Sequence, residues 1–306
     1  MRKKEQLFDI FAHLNVNKTG NHRAPHKPLL LLHVLSCWQT QGKKEFLYDE
    51  IAPVLLPLLR EYGPPQVKQP NPSNPFWYLQ SDGIWHLTDP KEPESIKTLN
   101  RPSITLFRDH GVFGTLSDDV WHYLDHDPDF LGLVVRTILS QHFEYTLHQD
   151  ILDYLQLHVF LEGTGVHESE LIEKKARRDP KFRINVLRAY DYSCAVCAFK
   201  AMLDTTPVGI EAAHVQWHTH LGPDLVTNGI ALCSLHHKLF DRGVFTIDNN
   251  HRIIVSDAAH GSGMYIHLME HFHEQEVREP RHSYDAVAEN RRAWHVREVF
   301  RGYGVA

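Results

Sequence analysis

Cys194-Ala-Val-Cys197, then Glu211-Ala-Ala-His214, then Asn228-Gly-Ile-Ala-Leu-Cys233-Ser-Leu-His236-His237-Lys238: how this stretch is read decides the fold. It holds three of the chain's four cysteines, threaded with histidines at metal-ligand spacing. Two sets of residues separate by chemistry. Cys194, Cys197, Cys233 and His236 form two C-x2-C/H knuckles. Each knuckle presents two ligands on a tight turn, and four such ligands close a tetrahedron around a structural zinc. A disulfide pattern fits less well, because pairing two of the clustered cysteines strands the third, and Cys37 lies far off beside the apolar run Leu29 to Leu35. Buried free thiols are the plainer alternative for the cluster, and Cys37 reads as a small core hydrophobe. His214, Asn228 and His237 remain, and they suit a hard catalytic metal and a general base. A neutral imidazole takes a proton from water because its pKa lies in the working range. A divalent cation neutralises a scissile phosphate and stabilises the leaving oxygen. Asparagine does not titrate; its amide holds a loop or contacts a metal through its oxygen. The combination points to cutting phosphodiester bonds.

Framed by the two knuckles, the order and adjacency of these residues resemble the ββα-metal core of HNH endonucleases, in the zinc-knuckle branch that includes methyl-directed restriction nucleases. The resemblance spans residues 181–250. It implies that His214 ends a strand and acts as general base, that Asn228 fixes the site from the intervening loop, and that His237, directly after a zinc ligand, binds a catalytic Mg2+ or Mn2+. One position departs from the pattern. Many HNH enzymes carry Asp or His directly before the base as a metal ligand, and this chain has Ala213. Glu211 or Asp241 is left to supply the carboxylate, or water completes the shell. His218 and His220 read as solvated loop residues or as contacts to substrate phosphate.

Local patterns agree. Val208 to His214 is a strand candidate, and Ser234 to Arg242 reads as a helix with Gly243 as its stop. Residues 244–248 and 252–255 are apolar strand runs around an Asp-Asn-Asn turn. Phe182 to Tyr190 is an amphipathic helix, and Arg177, Arg178, Lys181, Arg183 and Arg188 load it and its approach with positive charge. That suits either a DNA-backbone contact or a solvated face.

Whole-chain numbers set bounds. With 306 residues the chain has room for two domains, each with its own core. Hydrophobic content is 42%, ordinary for a soluble protein. No apolar run reaches the length of about 18 residues that a membrane helix requires. The start, Met-Arg-Lys-Lys-Glu-Gln-Leu-Phe, lacks a signal peptide's long apolar core. Thiols placed for metal suggest a reducing cytoplasm. A net charge of −6 does not announce a nucleic-acid binder, although local basic patches suffice when salt screens distant charge. The 24 histidines are unusual, and most are surface composition rather than ligands.

The N-terminal half reads as a separate module. Leu7, Ile10, Phe11 and Leu14 mark an amphipathic helix over 3–14. A polar, basic loop spans 17–27, and Pro28 starts a strongly apolar helix through Trp38. A helix over 51–62, a proline-rich loop over 63–75, and late helices over 131–139 and 148–157 follow. Phe76-Trp-Tyr-Leu79 and Ile84-Trp-His-Leu87, joined through Ser81-Asp-Gly83, read as a β-hairpin.

Two parts of this half resemble a second family. Arg23-Ala-Pro-His-Lys-Pro-Leu-Leu-Leu-Leu32, followed by Asn74-Pro-Phe-Trp-Tyr-Leu and Asp82-Gly-Ile-Trp85, are similar to the sulfur-binding domain of phosphorothioate-dependent restriction endonucleases, which carry an HNH domain at their C-terminal end. Leu131 to Leu157 and Trp294 to Phe300 also look like this group. The resemblance implies binding to double-stranded DNA in which sulfur replaces a non-bridging phosphate oxygen. It places the basic loop on Arg23, His26 and Lys27 and the apolar sulfur cup on Pro75 to Tyr78. The cup departs from the family pattern at Asn74 and Tyr78. Such a cup gains dispersion contacts with a polarizable sulfur, and it strips water from an oxygen without replacing the hydrogen bonds. That difference is worth about 1–3 kcal/mol.

The expected architecture is α+β. A mostly helical sulfur-binding domain with a β-hairpin occupies residues 1–163, a linker 164–180, and a ββα-metal HNH domain with zinc knuckles 181–306. The expected function is a modification-dependent DNA endonuclease of the type IV restriction kind, built as a homodimer if it breaks both strands. A nuclease reading a methylated base is one alternative, though no segment reads as a pocket for a flipped base. A non-catalytic zinc-containing DNA-binding protein is the other, and Ala213 is its best support.

Overall fold

A helix that is apolar on every side has to be surrounded, and residues 29–35 impose that on the N-terminal half. The computed structural model describes residues 2–15, 24–65, 70–159 and 180–302. The chain divides into two units, Met1–Lys175 and Ala176–Ala306. The expected linker falls, but for Pro180, outside the described residues, and so do Arg23, Arg177 and Arg178.

The described elements of the first unit are α1 (Lys4–Ala12), α2 (His26–Gln41), β1 (Phe46–Leu47), α3 (Tyr48–Tyr62), α4 (Ser73–Tyr78), β2 (Trp85–Thr88), α5 (Ser95–Thr98), α6 (Ile104–His110), β3 (Phe113–Leu116), α7 (Asp118–His126), α8 (Phe130–His142) and α9 (His148–Leu155). Helix α2 is the core: Leu29, Leu30, Leu31, Leu32, Val34 and Leu35 are fully buried, and α3, α4, α8 and α9 pack around it. A small antiparallel sheet of order β1-β3-β2 lies in the same unit.

The expected hairpin is not there. Its first arm is helical: α4 covers Ser73–Tyr78 and a 3-10 turn continues over Leu79–Asp82. The second arm, β2, pairs instead with β3, Trp85 opposite Leu116 and Thr88 opposite Phe113. The cause is local and tertiary at once. The Asn71 side-chain oxygen accepts the Ser73 backbone N–H (3.0 Å) and hydroxyl (2.8 Å), an Asx turn that starts a helix. Pro75 is tolerated in the first turn. The Phe76 ring then packs among Tyr48, Trp85 and Phe107, with centroids 5.3, 5.9 and 5.4 Å away. The Trp85 indole N–H donates to the Phe76 carbonyl at 2.9 Å. Gly83, at φ +71°, closes the 3-10 turn rather than a hairpin.

The second unit comprises α10 (Pro180–Ala189), β4 (Met202–Leu203), β5 (Thr206–Pro207), β6 (Ile210–His214), β7 (Gly229–Cys233), α11 (Ser234–Asp241), β8 (Phe245–Ile247), β9 (Ile253–Val255), α12 (Met264–Leu268) and α13 (Glu289–Glu298). Strands β6 and β7 pair antiparallel with His214 opposite Gly229, and α11 follows β7 directly. The strand expected over 208–214 and the helix expected over 234–242 are therefore present, and with β7 they make a ββα unit. Strands β8 and β9 pair as the sequence around the Asp-Asn-Asn turn suggests. Helix α10 buries Phe182, Val186 and Leu187 against β6 and β7, with Lys181, Arg183 and Arg188 exposed. Gly229 permits this approach: a Cβ there would lie 2.3 Å from Val186 Cγ2. The fold is mixed α+β, helical in the first unit and ββα-based in the second. No described helix is long and apolar enough to cross a membrane.

Candidate nuclease and sulfur-recognition sites

The two cysteine knuckles converge. The ligand atoms of Cys194, Cys197, Cys233 and His236 all lie within 4.8 Å of one another. Cys233 Sγ is 3.1 Å and Cys194 Sγ 3.6 Å from His236 Nδ1, and the Cys197 and Cys233 sulfurs are 4.0 Å apart. His236 Nε2 lies 2.7 Å from the Leu268 carbonyl. A carbonyl only accepts, so Nε2 carries a proton and Nδ1 is the nitrogen left facing the three sulfurs. This is how a metal-bound histidine is fixed by its outer partner. The groups divide their protons unevenly. Cys197 and Cys233 push the Cys194 thiol far up, while Cys194 and Cys233 drive Cys197 well below the usual thiol range. Burial works to lower His236, yet its contacts with Cys197, Cys233 and the Leu268 carbonyl hold it up at about 10. Three soft sulfurs and one oriented imidazole suit zinc. Cys233 is also the residue that caps α11, and His236 lies in that helix's first turn, so the clasp sets where α11 begins.

His214 ends β6 and is almost fully buried. The Phe182 ring stacks on it at 3.9 Å between centroids and 13° between planes. Asp224 Oδ1 lies 2.7 Å from its Nε2. The carboxylate accepts the Nε2 proton, which places the ring's basic lone pair on Nδ1. Nothing in the sequence singled out Asp224. The second Asp224 oxygen is 4.0 Å from His218 Nε2, so this loop histidine stands beside the partner of His214.

Asn228 is fully buried and holds the loop. Its Oδ1 accepts the Gln216 N–H at 2.9 Å, and its Nδ2 donates to the Gln216 carbonyl (2.9 Å) and the Pro223 carbonyl (3.0 Å). All three contacts are made within the loop. The same loop is braced by α13: the Arg291 guanidinium donates to Gln216 Oε1, and the Ala288 N–H donates to the Thr227 carbonyl just before that helix. His220, at the other end of the loop's 3-10 turn, sits against Trp217 and Trp294.

His237 lies between two carboxylates. Glu211 Oε2 is 2.6 Å from its Nδ1, and Asp241 Oδ2 is 3.3 Å from its Nε2. The Trp217 indole N–H donates to Asp241 Oδ1 at 3.1 Å. Both carboxylates left open by Ala213 thus reach the same ring. A hard cation with one imidazole and one carboxylate, its remaining positions filled by water and phosphate, fits this donor set.

In the first unit, His26 and Lys27 sit in the first turn of α2 and Asn74, Pro75 and Tyr78 on α4, which packs against it. Asn74 and Tyr78 are exposed, Pro75 is buried, and burial lowers the His26 pKa. Lys27 does not face outward as a phosphate contact would. It is 6% exposed, and its ammonium donates to Asp82 (2.6 Å), the Ser81 hydroxyl (3.1 Å) and the Asn15 carbonyl (2.5 Å). The Ser81 hydroxyl in turn donates to the Tyr78 carbonyl at 2.8 Å. Lys27 therefore ties the start of α2 to the end of α4. Removing one member of a buried ion pair leaves the other uncompensated, which typically costs about 3–5 kcal/mol. The Lys27→Met protein is expected to show a lower melting transition for the first unit, and Lys27→Met/Asp82→Leu to recover much of it. Equal melting of single and double variants would contradict this role.

Comparison with known proteins places both units. A family model described as the ScoMcrA-like DNA sulfur-binding domain matches residues 4–160, and one described as HNH endonuclease matches residues 194–248. No curated protein matches the chain. Among solved structures, the sulfur-binding and SRA domains of ScoMcrA with phosphorothioated DNA align at 18% identity and a TM-score of 0.41, over 48% of this chain and 45% of that one. The modification-dependent TagI restriction endonuclease aligns at 19% identity and a TM-score of 0.32, over 43% of each chain. The isolated sulfur-binding domain of ScoMcrA with phosphorothioated DNA aligns at 19% identity and a TM-score of 0.43, over 51% of this chain and 98% of that one. This chain thus spans less than half the length of the first two.

Proposed function

We propose that this chain, which belongs to the ScoMcrA-like DNA sulfur-binding domain family and joins that domain to an HNH nuclease domain, binds phosphorothioate-modified duplex DNA and hydrolyses a nearby phosphodiester bond. The observations that carry the nuclease half are the Asp224–His214 contact at the end of β6 and the carboxylate-flanked His237 on α11, the helix that follows β7. His214 takes a proton from the attacking water. Asp224 holds the imidazole in one tautomer and stabilises the charge the ring acquires. Asn228 keeps the loop that carries Asp224 closed against β6. His237 binds a divalent cation, Mg2+ or Mn2+, which when bound neutralises the scissile phosphate and stabilises the leaving oxygen. The zinc clasp is structural. Exposed Lys181, Arg183 and Arg188 supply attraction for the DNA backbone.

In the recognition half, exposed Tyr78 presents the apolar contact to sulfur with buried Pro75 backing it, and Asn74, His26 and Arg23 serve the phosphate. The 1–163 and 181–306 division follows from the two functions. One such site cuts one strand, so double-strand scission calls for a homodimer or two binding events. The biological setting is restriction of sulfur-marked DNA in the cytoplasm.

Asp224→Asn tests the dyad. It is expected to lower kcat at least about tenfold, within the ~10²–10⁴ that a general base contributes, and to leave KM for the duplex little changed. An unchanged kcat and pH profile would remove Asp224 from the mechanism. The choice of mark is tested by binding without divalent metal. Matched duplexes carrying one sulfur, one methylated base or neither are titrated with the full chain, and only the sulfur duplex is expected to be retained. Preference for the methylated duplex would support the rival reader instead.

A further inference from the structure

We infer that His237 Nε2 and Asp241 Oδ2 are the protein ligands of the divalent cation, and that Glu211 is the positioning carboxylate that orients the His237 ring. This rests on the nuclease reading above and decides between the two carboxylates that flank the imidazole.

A neutral imidazole carries one N–H. Both of its nitrogens here face carboxylate oxygens, which only accept, so in the neutral ring one contact is a hydrogen bond and the other is not. The Glu211 contact has the length of a charge-assisted hydrogen bond, 2.6 Å. With Nδ1 as donor, Nε2 presents its lone pair to Asp241 Oδ2 across 3.3 Å. Such a facing pair is stable only with positive charge between its members, either a second ring proton or a bound metal cation that displaces it. The spacing suits the metal cation. Two neighbouring ligands of an octahedral cation, each with bonds of about 2.1 Å, sit about 3.0 Å apart.

The surroundings assign the same roles. His237 and Asp241 are one turn apart on α11, so both project from one face. The Trp217 indole fixes Asp241 through Oδ1, which turns Oδ2 to the imidazole. Both Glu211 oxygens have partners: Oε1 accepts the Ser234 hydroxyl at 2.7 Å and Oε2 lies on His237. Glu211 and Ala213 lie on the same face of β6, since strand side chains alternate. The ligand missing at Ala213 is therefore replaced from the helix, and the strand contributes the carboxylate that holds the histidine. A carboxylate on the far nitrogen of a metal-bound histidine is the usual outer-sphere arrangement.

The test is electron–nuclear double resonance on the full-length, Mn2+-loaded protein, labelled with carbon-13 at either the aspartate or the glutamate side-chain carboxyls. The aspartate label is expected to show hyperfine coupling to Mn2+, and the glutamate label none. Asp241→Asn, which keeps an oxygen for the Trp217 N–H, is expected to remove that coupling and weaken Mn2+ binding at least about tenfold, with zinc content unchanged as a check on folding. Coupling from the glutamate label, or an aspartate coupling that survives Asp241→Asn, would overturn the assignment. Failure of the nuclease reading looks different: Mn2+ would bind His237→Ala as tightly as the wild type. The labelled wild-type measurement stands even if a variant folds poorly.

Discussion

The His214→Ala protein is expected to hold a sulfur-bearing duplex as well as the wild type does and to cut it at least about 10²-fold more slowly, since a positioned general base contributes typically ~10²–10⁴ in rate. The size of the effect follows from the lack of a substitute. His218, the neighbouring imidazole, has its ring centroid 5.8 Å away and faces the second oxygen of the same Asp224. It lacks the stacking on Phe182 that holds His214 in plane. Binding is expected to survive because the residues proposed for sulfur recognition belong to the other unit. Single-turnover cleavage and equilibrium retention measured on the same protein separate the two. Cutting at the wild-type rate would remove His214 from the chemistry, and loss of retention would mean the substitution acts through the fold.

Loss of zinc is expected to unfold the second unit and leave the first one melting as before. Structural zinc in small domains contributes about 10–16 kcal/mol of apparent binding free energy, comparable to the whole ~5–15 kcal/mol by which a typical domain is stable. Cys197→Ser, or chelation of the wild type, removes a clasp that joins the turn at 194–197 to the first turn of α11. His237 follows His236 directly, so its ring loses its placement with the clasp. Calorimetry with metal analysis is expected to show one transition lost and one retained. Full cleavage activity in zinc-free protein would contradict the structural role.

What the sequence disclosed and what it hid divide along the reach of the interactions. The knuckles, the strand into His214 and helix α2 are written in local spacing and in an unbroken apolar run. The misread hairpin shows the limit. Phe76-Trp77-Tyr78-Leu79 has strand-like residues, but the Asx turn at Asn71 and the packing of Phe76 against Tyr48 and Phe107 make it helical. The true partner of β2 lies across α5 and α6, a pairing no local pattern reveals. Lys27 looked like a DNA contact because its partner, Asp82, is 55 residues away. Asp224 gave no signal, since its place beside His214 depends on the loop closure that Asn228 provides. Glu211 and Asp241 were visible as the carboxylates near Ala213, yet only distances to the two ring nitrogens separate their roles.

The central claim, that sulfur recognition directs hydrolysis by this nuclease fold, is tested most directly by one cleavage measurement. A duplex carrying a single stereodefined phosphorothioate and its all-oxygen twin, distinguished by length, are incubated together with the full chain and Mn2+. Strand scission of the sulfur duplex with the twin left intact is the predicted result. Equal cutting of both, or retention of the sulfur duplex with no scission by zinc-loaded protein, would contradict it.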